Sequence, residues 1–339
     1  MAKGKVLWLS AIAAGVLLFS GCDSKSSSSG ESVESMLATK TTLTEENAPD
    51  ATLATLEAVG TGQETVGEFG QVINGMEVLS AASQAQFTKP VSAISTAVFA
   101  LGLLDRDRSV SATESMDCPE GGSVSATETE DTLSITFSSC NMGDGEVVSG
   151  TATISDFDWA TEGGYDLSFS ATLDVSHANS AAGESGTVKG SFKAAVNLDG
   201  SENMTKLKIE NMSVVGTYQE EGWSDVFAVK NYRQLVDTIG DTMTVEGEVG
   251  YKYTTGGVTK QFAVTIDGNA AGLESGSLDY PETGTLTLTG ADDTEVVVVF
   301  SGNDAYPDVT VTLNDMQIFP VSPSVGTYAE FDDWGSEGE

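Results

Sequence analysis

The sequence predicts a mainly β protein with a helical N-terminal segment, an α+β chain dominated by one large antiparallel meander. Three observations predict this. Beyond about Val110, apolar and polar residues alternate with period two over long runs. Glycine-bearing turn signals punctuate those runs. From Thr44 to Asp105 the apolar spacing is three to four residues instead.

The helical segment, residues 44–105, divides into three. Asn47-Ala48-Pro49 suits a helix start, because proline is tolerated in a first turn. Leu53, Leu56 and Val59 form its stripe and Gly60 can end it. A second helix fits residues 64–86, where Val66, Phe69, Val72, Ile73, Met76 and Leu79 fall on one face. A third begins near Pro90 and reaches Leu104. Val91, Ile94, Val98, Phe99, Leu101 and Leu103 leave it little polar face, which predicts burial against the apolar side of a sheet. At about 15 residues it is too short to span a bilayer.

The β domain is expected over residues 106–320. Its clearest strand runs from Gly164 to His177, with Tyr165, Leu167, Phe169, Ala171, Leu173 and Val175 on a dry face and serine, threonine and aspartate between them. Val188-x-Gly190-x-Phe192 and Val245-x-Gly247-x-Val249 share a weak pattern without a fixed period. In residues 204–218 the phase slips between Ile209 and Met212, which predicts a β-bulge near Glu210 or Asn211. Gly143-Asp144-Gly145, Gly163-Gly164, Asp199-Gly200, Gly256-Gly257 and Asp267-Gly268 read as turns. Short turns force antiparallel neighbours, and about ten to thirteen strands follow. Gly284 to Phe319 adds the last three, with Val296 to Phe300 apolar on both faces. So wide a sheet must curl, approach a barrel or split, and its dry face needs a cover, from closure or from the helices.

The N-terminus carries an address. Lys3 and Lys5 precede a 14-residue apolar run, Val6 to Phe19, broken only by Ser10 and Gly15; Ser20 and Gly21 then lead to Cys22. This is signal-peptide grammar over residues 1–21. Phe-Ser-Gly-Cys resembles the bacterial lipobox, with Phe19 where leucine is usual. The resemblance implies cleavage before Cys22 and acylation of that residue, with palmitate-type chains. Two or three acyl chains, at about 0.8 kcal/mol per buried CH₂, hold a protein permanently. Asp23 resembles the inner-membrane retention signal of enteric bacteria, a rule that weakens elsewhere and leaves the inner or outer membrane open. Residues 22–43, rich in serine, are expected to be a flexible tether. Residues 321–339 read as an acidic tail.

Charge excludes some partners. The chain holds 15 basic and 51 acidic residues, net −36, and 13 basic residues remain from Cys22 onward. Such a chain repels nucleic acid and does not lie flat on anionic lipid, so the membrane link is expected through covalent lipid.

Export makes a disulfide between Cys118 and Cys140 the expected state, since they are the only cysteines after Cys22. Closing that loop is worth roughly 3 kcal/mol. They flank a hairpin, Gly121 to Glu128 and Thr132 to Ser139. The string Cys118-Pro-Glu-Gly-Gly-Ser-Val124, followed by Cys140 and a glycine-rich strand, resembles uncharacterised β-rich envelope lipoproteins of Gram-negative bacteria over residues 115–320. That resemblance implies no particular activity.

No catalytic constellation stands out, and the chain reads as non-enzymatic. His177, the sole histidine, ends a strand and is expected at the surface. Trp159, Trp223 and Trp334 lie near turns or the tail, with Trp223 reading as a strand-start anchor. Acidic pairs supply weak calcium candidates: Asp156 and Asp158, near Glu162; Asp292 and Asp293, near Glu295; and Asp304 and Asp308. No Asp-x-Asp-x-Asp-Gly loop accompanies them. No cofactor is expected beyond the lipid. Three functional readings remain: an envelope protein binding an apolar ligand or lipid on a curved sheet, a structural protein binding an envelope partner, and a carboxylate-dependent hydrolase.

Overall fold

A computed structural model of the chain describes residues 31–56, 112–129, 132–143, 145–159, 164–198, 204–271, 283–301 and 309–319. The signal segment, Cys22, the helices expected at 64–86 and 90–104, and the acidic tail lie outside those residues.

The period-two region forms one antiparallel sheet of 14 strands in strictly sequential order. They are β1 Ala112–Asp117, β2 Ser123–Glu128, β3 Thr132–Gly143, β4 Glu146–Trp159, β5 Leu167–Asn179, β6 Glu184–Leu198 and β7 Met204–Glu220. Then follow β8 Trp223–Asp237, β9 Thr242–Thr255, β10 Val258–Ala271, β11 Thr283–Thr289, β12 Glu295–Ser301, β13 Val309–Leu313 and β14 Met316–Phe319. β1 and β14 are the two edges and do not pair, so hydrogen bonding does not close the sheet.

Alternation assigns the faces. In β5, Leu167, Phe169, Ala171, Leu173, Val175 and His177 are all buried while their neighbours face out. The same inner face continues from Val124 in β2 to Phe319 in β14 as one hydrophobic core. At about 4.8 Å per strand the sheet is roughly 60 Å wide.

Bending devices recur along it. Ser139, Asp156, Asn211 and Asn231 all adopt positive φ (50°, 56°, 52° and 51°) where the ladders of β3, β4, β7 and β8 skip residues. The bulge expected near Glu210 or Asn211 is one of these four. Each adds a residue to one strand and increases its local bend. The Val-x-Gly-x-apolar pattern is a second device. Gly190 and Gly247 both sit on the inner face at φ +147°, which side-chain-bearing residues rarely adopt. A Cβ on Gly190 would run into the Ser213 carbonyl, and one on Gly247 would lie 2.7 Å from Tyr232 Cα.

Three strand expectations need correction. Asp267-Gly268 is no turn: both lie inside β10, where Gly268 makes room for Leu286, 2.9 Å from where a Cβ would stand. The C-terminal stretch holds four strands, because Asn314-Asp315, at φ 48° and 67°, turns the chain into β14. In β12, Val296, Val298 and Phe300 are buried, but Val297 and Val299 are only half-buried, so the strand alternates after all.

The N-terminal segment crosses the sheet. Helix α1, Val33–Leu37, lies on the outer face, capped reciprocally by Ser32 and Ser35. Its Val33 and Met36 pack on Val215 and Ala228, apart from the main core. Gly250 leaves room for Leu37. β11 pairs only with Thr265–Ala271 of β10, so the first half of β10 outruns it. Thr41 fills that notch: its N–H donates to the Ala263 carbonyl at 2.8 Å and its carbonyl accepts from Ala291 N–H at 2.9 Å. The chain then enters the inner core at Leu43. Residues 31–43, expected as the latter part of a flexible tether, are therefore docked.

Helix α2 follows, described over residues 48–56. Asn47 precedes it, its side chain accepting from Thr44 N–H at 2.8 Å, with Pro49 in the first turn as the sequence suggested. Its buried face includes the expected Leu56, with Leu53 packed against the core and Val59 outside the described residues. Ala48, Ala51, Thr52, Thr55 and Leu56 are buried, while Leu53 is half-buried.

Candidate functional site

The turns between β5 and β6, β7 and β8, and β9 and β10 lie at one end of the sheet. Just beneath them the register aligns His177, Gly186, Tyr218, Asp225, Tyr253 and Lys260 as one row on the inner face. On the β4 side the row continues through Val148 to Cys140, which is disulfide-bonded to Cys118 as expected, with Cα atoms 5.4 Å apart. The bond fastens the Cys118–Gly122 turn to β3, where Asn141 N–H donates to the Gly121 carbonyl at 2.8 Å.

The row is a polar band across a mostly apolar face, on which buried Tyr232 also donates to Gln234 Oε1 at 3.1 Å. His177 is 2% exposed, against the expected surface placement, because β5 extends past it and it keeps the parity of Val175. Its ring stacks on Tyr218 at 6.3 Å, and Gly186 between them makes this possible: a Cβ there would lie 2.5 Å from His177 Cε1. Tyr218 donates to Glu220 Oε2 at 3.2 Å and meets Trp223 edge-on at 5.4 Å. Burial, with the charges of Glu184 and Glu220 beside it, pushes the Tyr218 phenol well above its ordinary value. Trp223 opens β8 as its sequence context suggested.

The row's other half is held by charge. Asp225 is 2% exposed and accepts from Tyr251 Oη at 2.8 Å. Lys260 lies 5.7 Å from the Tyr253 ring centroid and donates to Asp50 of α2 at 2.8 Å. Those hydrogen bonds, with Asp50 first and Tyr253 second, hold the Lys260 ammonium above the usual lysine range. Thr44, Asn47, Asp50, Lys260 and Phe262 line a shallow depression here, where α2 meets β10.

Compared with known protein families, curated proteins and solved structures, the chain matches none.

The sequence-derived acidic candidates lie elsewhere. Asp156 and Asp158 are both exposed, and Asp156 is the positive-φ residue of the β4 bulge. Asp292 and Asp293 form the 3-10 turn Ala291–Asp293, where Asp292 accepts from Thr42 Oγ1 at 3.1 Å and so secures the crossing segment. Among the described residues, no group of three or more His, Cys, Asp or Glu side chains is placed to hold a metal ion. Glu162, Asp304, Asp308 and Trp334 lie outside the described residues, as does the Trp159 side chain.

Sequence reasoning missed the polar row, whose members come from six strands. The one available signal was parity: His177, Tyr218 and Asp225 occupy dry-face positions, and a polar residue at such a position marks an internal hydrogen-bond network. The row offers donors, acceptors and ring faces to a ligand at the end of the core. Carboxylates Glu184 and Glu220 flank Tyr218 there.

Proposed function

We propose that the chain is an envelope lipoprotein, held to a membrane by acyl chains on Cys22, whose sheet is a non-catalytic scaffold that engages another envelope protein through its surface. The observation that carries this reading is the continuity of the core. From β2 to β14 the inner-face side chains are buried in one cluster that already includes Ala48, Ala51 and Leu56 of the N-terminal segment. That face is committed to packing, which leaves the outer face, loops and edge strands for recognition.

A second reading, an apolar ligand or lipid held on the curved sheet, is favoured by one dimension. The nine described residues of α2 are about 13 Å long, against a sheet roughly 60 Å wide. Those described residues span only part of the dry face. A sheet with this many bends curls over that face, and an apolar molecule fits between sheet and cover. The polar row would then stand at the mouth, as polar groups do in apolar pockets.

Native mass spectrometry of protein released from its own membranes separates the two. A retained protein supports the scaffold reading. A retained lipid beyond the anchor overturns it in favour of the second. Turnover of a glycoside, lost in Glu184→Gln or Glu220→Gln, would overturn both in favour of carboxylate chemistry.

A further inference from the structure

We infer that the outer face of β6 to β9 is the side this protein turns toward its own bilayer, an inference that rests on the lipid-anchor reading. Charge is distributed very unevenly along the β region. Residues 109–188 hold 14 acidic and no basic residues, and residues 261–339 hold 15 acidic and no basic residues. Residues 189–260 hold ten acidic and eight basic residues. Strand parity sends all of those eight outward except Lys260, since the positions beside them, such as Val188, Phe192, Leu207, Val229 and Tyr251, are the buried ones. Several meet acidic neighbours there, as in Lys189–Asp174 at 2.9 Å, Lys208–Glu210 at 2.8 Å and Arg233–Glu246 at 3.0 Å. The result is a nearly neutral face on a strongly acidic chain.

The anchor chain enters on the same face. Lys252 donates to Glu31 at 2.7 Å, and α1 packs beside it on Val215 and Ala228. Nine residue steps separate Cys22 from Glu31, and fully extended they span about 30 Å. An acylated Cys22 therefore keeps the Lys252 patch within that distance of the headgroups, about half the width of the sheet. Anionic headgroups repel the flanking strands, which supply no outward-facing cation of their own, and tolerate the face where cations offset the carboxylates. Tether and charge select the same side. The partner is a phospholipid surface, and an acidic envelope protein is the competing occupant.

The test uses the acylated protein purified from its host, with the lipid on Cys22 first confirmed by peptide mass. It is reconstituted into phosphatidylethanolamine–phosphatidylglycerol vesicles and labelled with a membrane-impermeant amine reagent. Rates at each lysine are compared with those of the mature Cys22→Ser chain in solution. Lys189 and Lys193, both exposed on the outer face, are expected to slow about fivefold on vesicles, while Lys260 on the inner face is unchanged. Equal rates at Lys189 and Lys193 in both samples overturn the inference while leaving the anchor intact. Protection in native envelopes but not in vesicles overturns it in favour of a protein partner. An unmodified Cys22 removes the anchor reading and the inference together.

Discussion

Lys260 of β10 and Asp50 of α2, 210 residues apart in sequence, meet at 2.8 Å on the inner face of the sheet. On the outer face of the same hairpin, Lys252 of β9 holds Glu31 at 2.7 Å. Two lysines thus grip the N-terminal segment on both sides of the sheet it crosses. Lys260→Met is expected to loosen α2 by leaving the half-buried Asp50 carboxylate without its ammonium, at a cost of about 1–2 kcal/mol. For a body of this size that lowers Tm by about 2–8 °C. Hydrogen exchange should rise first in residues 43–56. An unchanged exchange rate there would contradict the clamp.

The glycine kinks predict a contrast. Gly190→Ala forces a Cβ into the Ser213 carbonyl from a φ of +147° and is expected to cost about 3 kcal/mol. Gly256, at φ +56° in the β9–β10 turn, has nothing within 4 Å of a Cβ. Gly256→Asn is therefore expected to cost well under 1 kcal/mol, since asparagine tolerates that conformation. Urea unfolding of the two variants measures the difference, and equal midpoints would contradict it.

Most of the fold was legible because one-sided burial writes itself as alternation. Leu167 to His177 and the Val-x-Gly-x-apolar segments gave strands, faces and antiparallel order directly. Errors arose where one residue type serves two purposes. Gly268 looks like a turn glycine but relieves a close approach to Leu286, and only the neighbouring strand reveals that. Asn314-Asp315 makes a tight turn without glycine, which hid β14. The polar row was illegible for a different reason. His177, Tyr218, Asp225 and Lys260 are adjacent only after registers between several pairs of strands are fixed, and one residue of slip in any pair separates them. Cys118 and Cys140, by contrast, needed no register, because elimination and the expected export sufficed.

The disulfide joins the start of the sheet to β3 across a sequence separation of 22 residues. Cys118→Ala/Cys140→Ala is expected to lower unfolding free energy by roughly 3 kcal/mol through a less restricted unfolded chain. Equilibrium urea curves with and without reductant check this. Wild-type protein in reductant should match the double variant, and a reductant-insensitive midpoint would contradict the assignment.

Alkaline pH should destabilise the folded protein. Burial raises the phenols of Tyr218 and Tyr232, and Asp50 raises the Lys260 ammonium. Each group binds its proton more tightly folded than unfolded. Its contribution is therefore complete below the unfolded values, about 10 for tyrosine and about 10.4 for lysine, and is lost as pH climbs through the folded ones. Of eight tyrosines, Tyr218 and Tyr232 should ionise only as the protein unfolds. Absorbance at phenolate wavelengths, followed together with circular dichroism, reads this out. Ionisation of all eight with an intact β spectrum would contradict it.

The proposed anchor hangs this β body from a membrane by the residue nine positions before its first docked ion pair. Mass analysis of the N-terminal peptide of protein isolated from its native host tests that most directly. The expected peptide begins at Cys22, continues into Asp23, and carries the added mass of a diacylglycerol group, with or without a third acyl chain. A peptide that retains residues 1–21, or one that begins elsewhere with Cys22 as an unmodified thiol, would contradict the account.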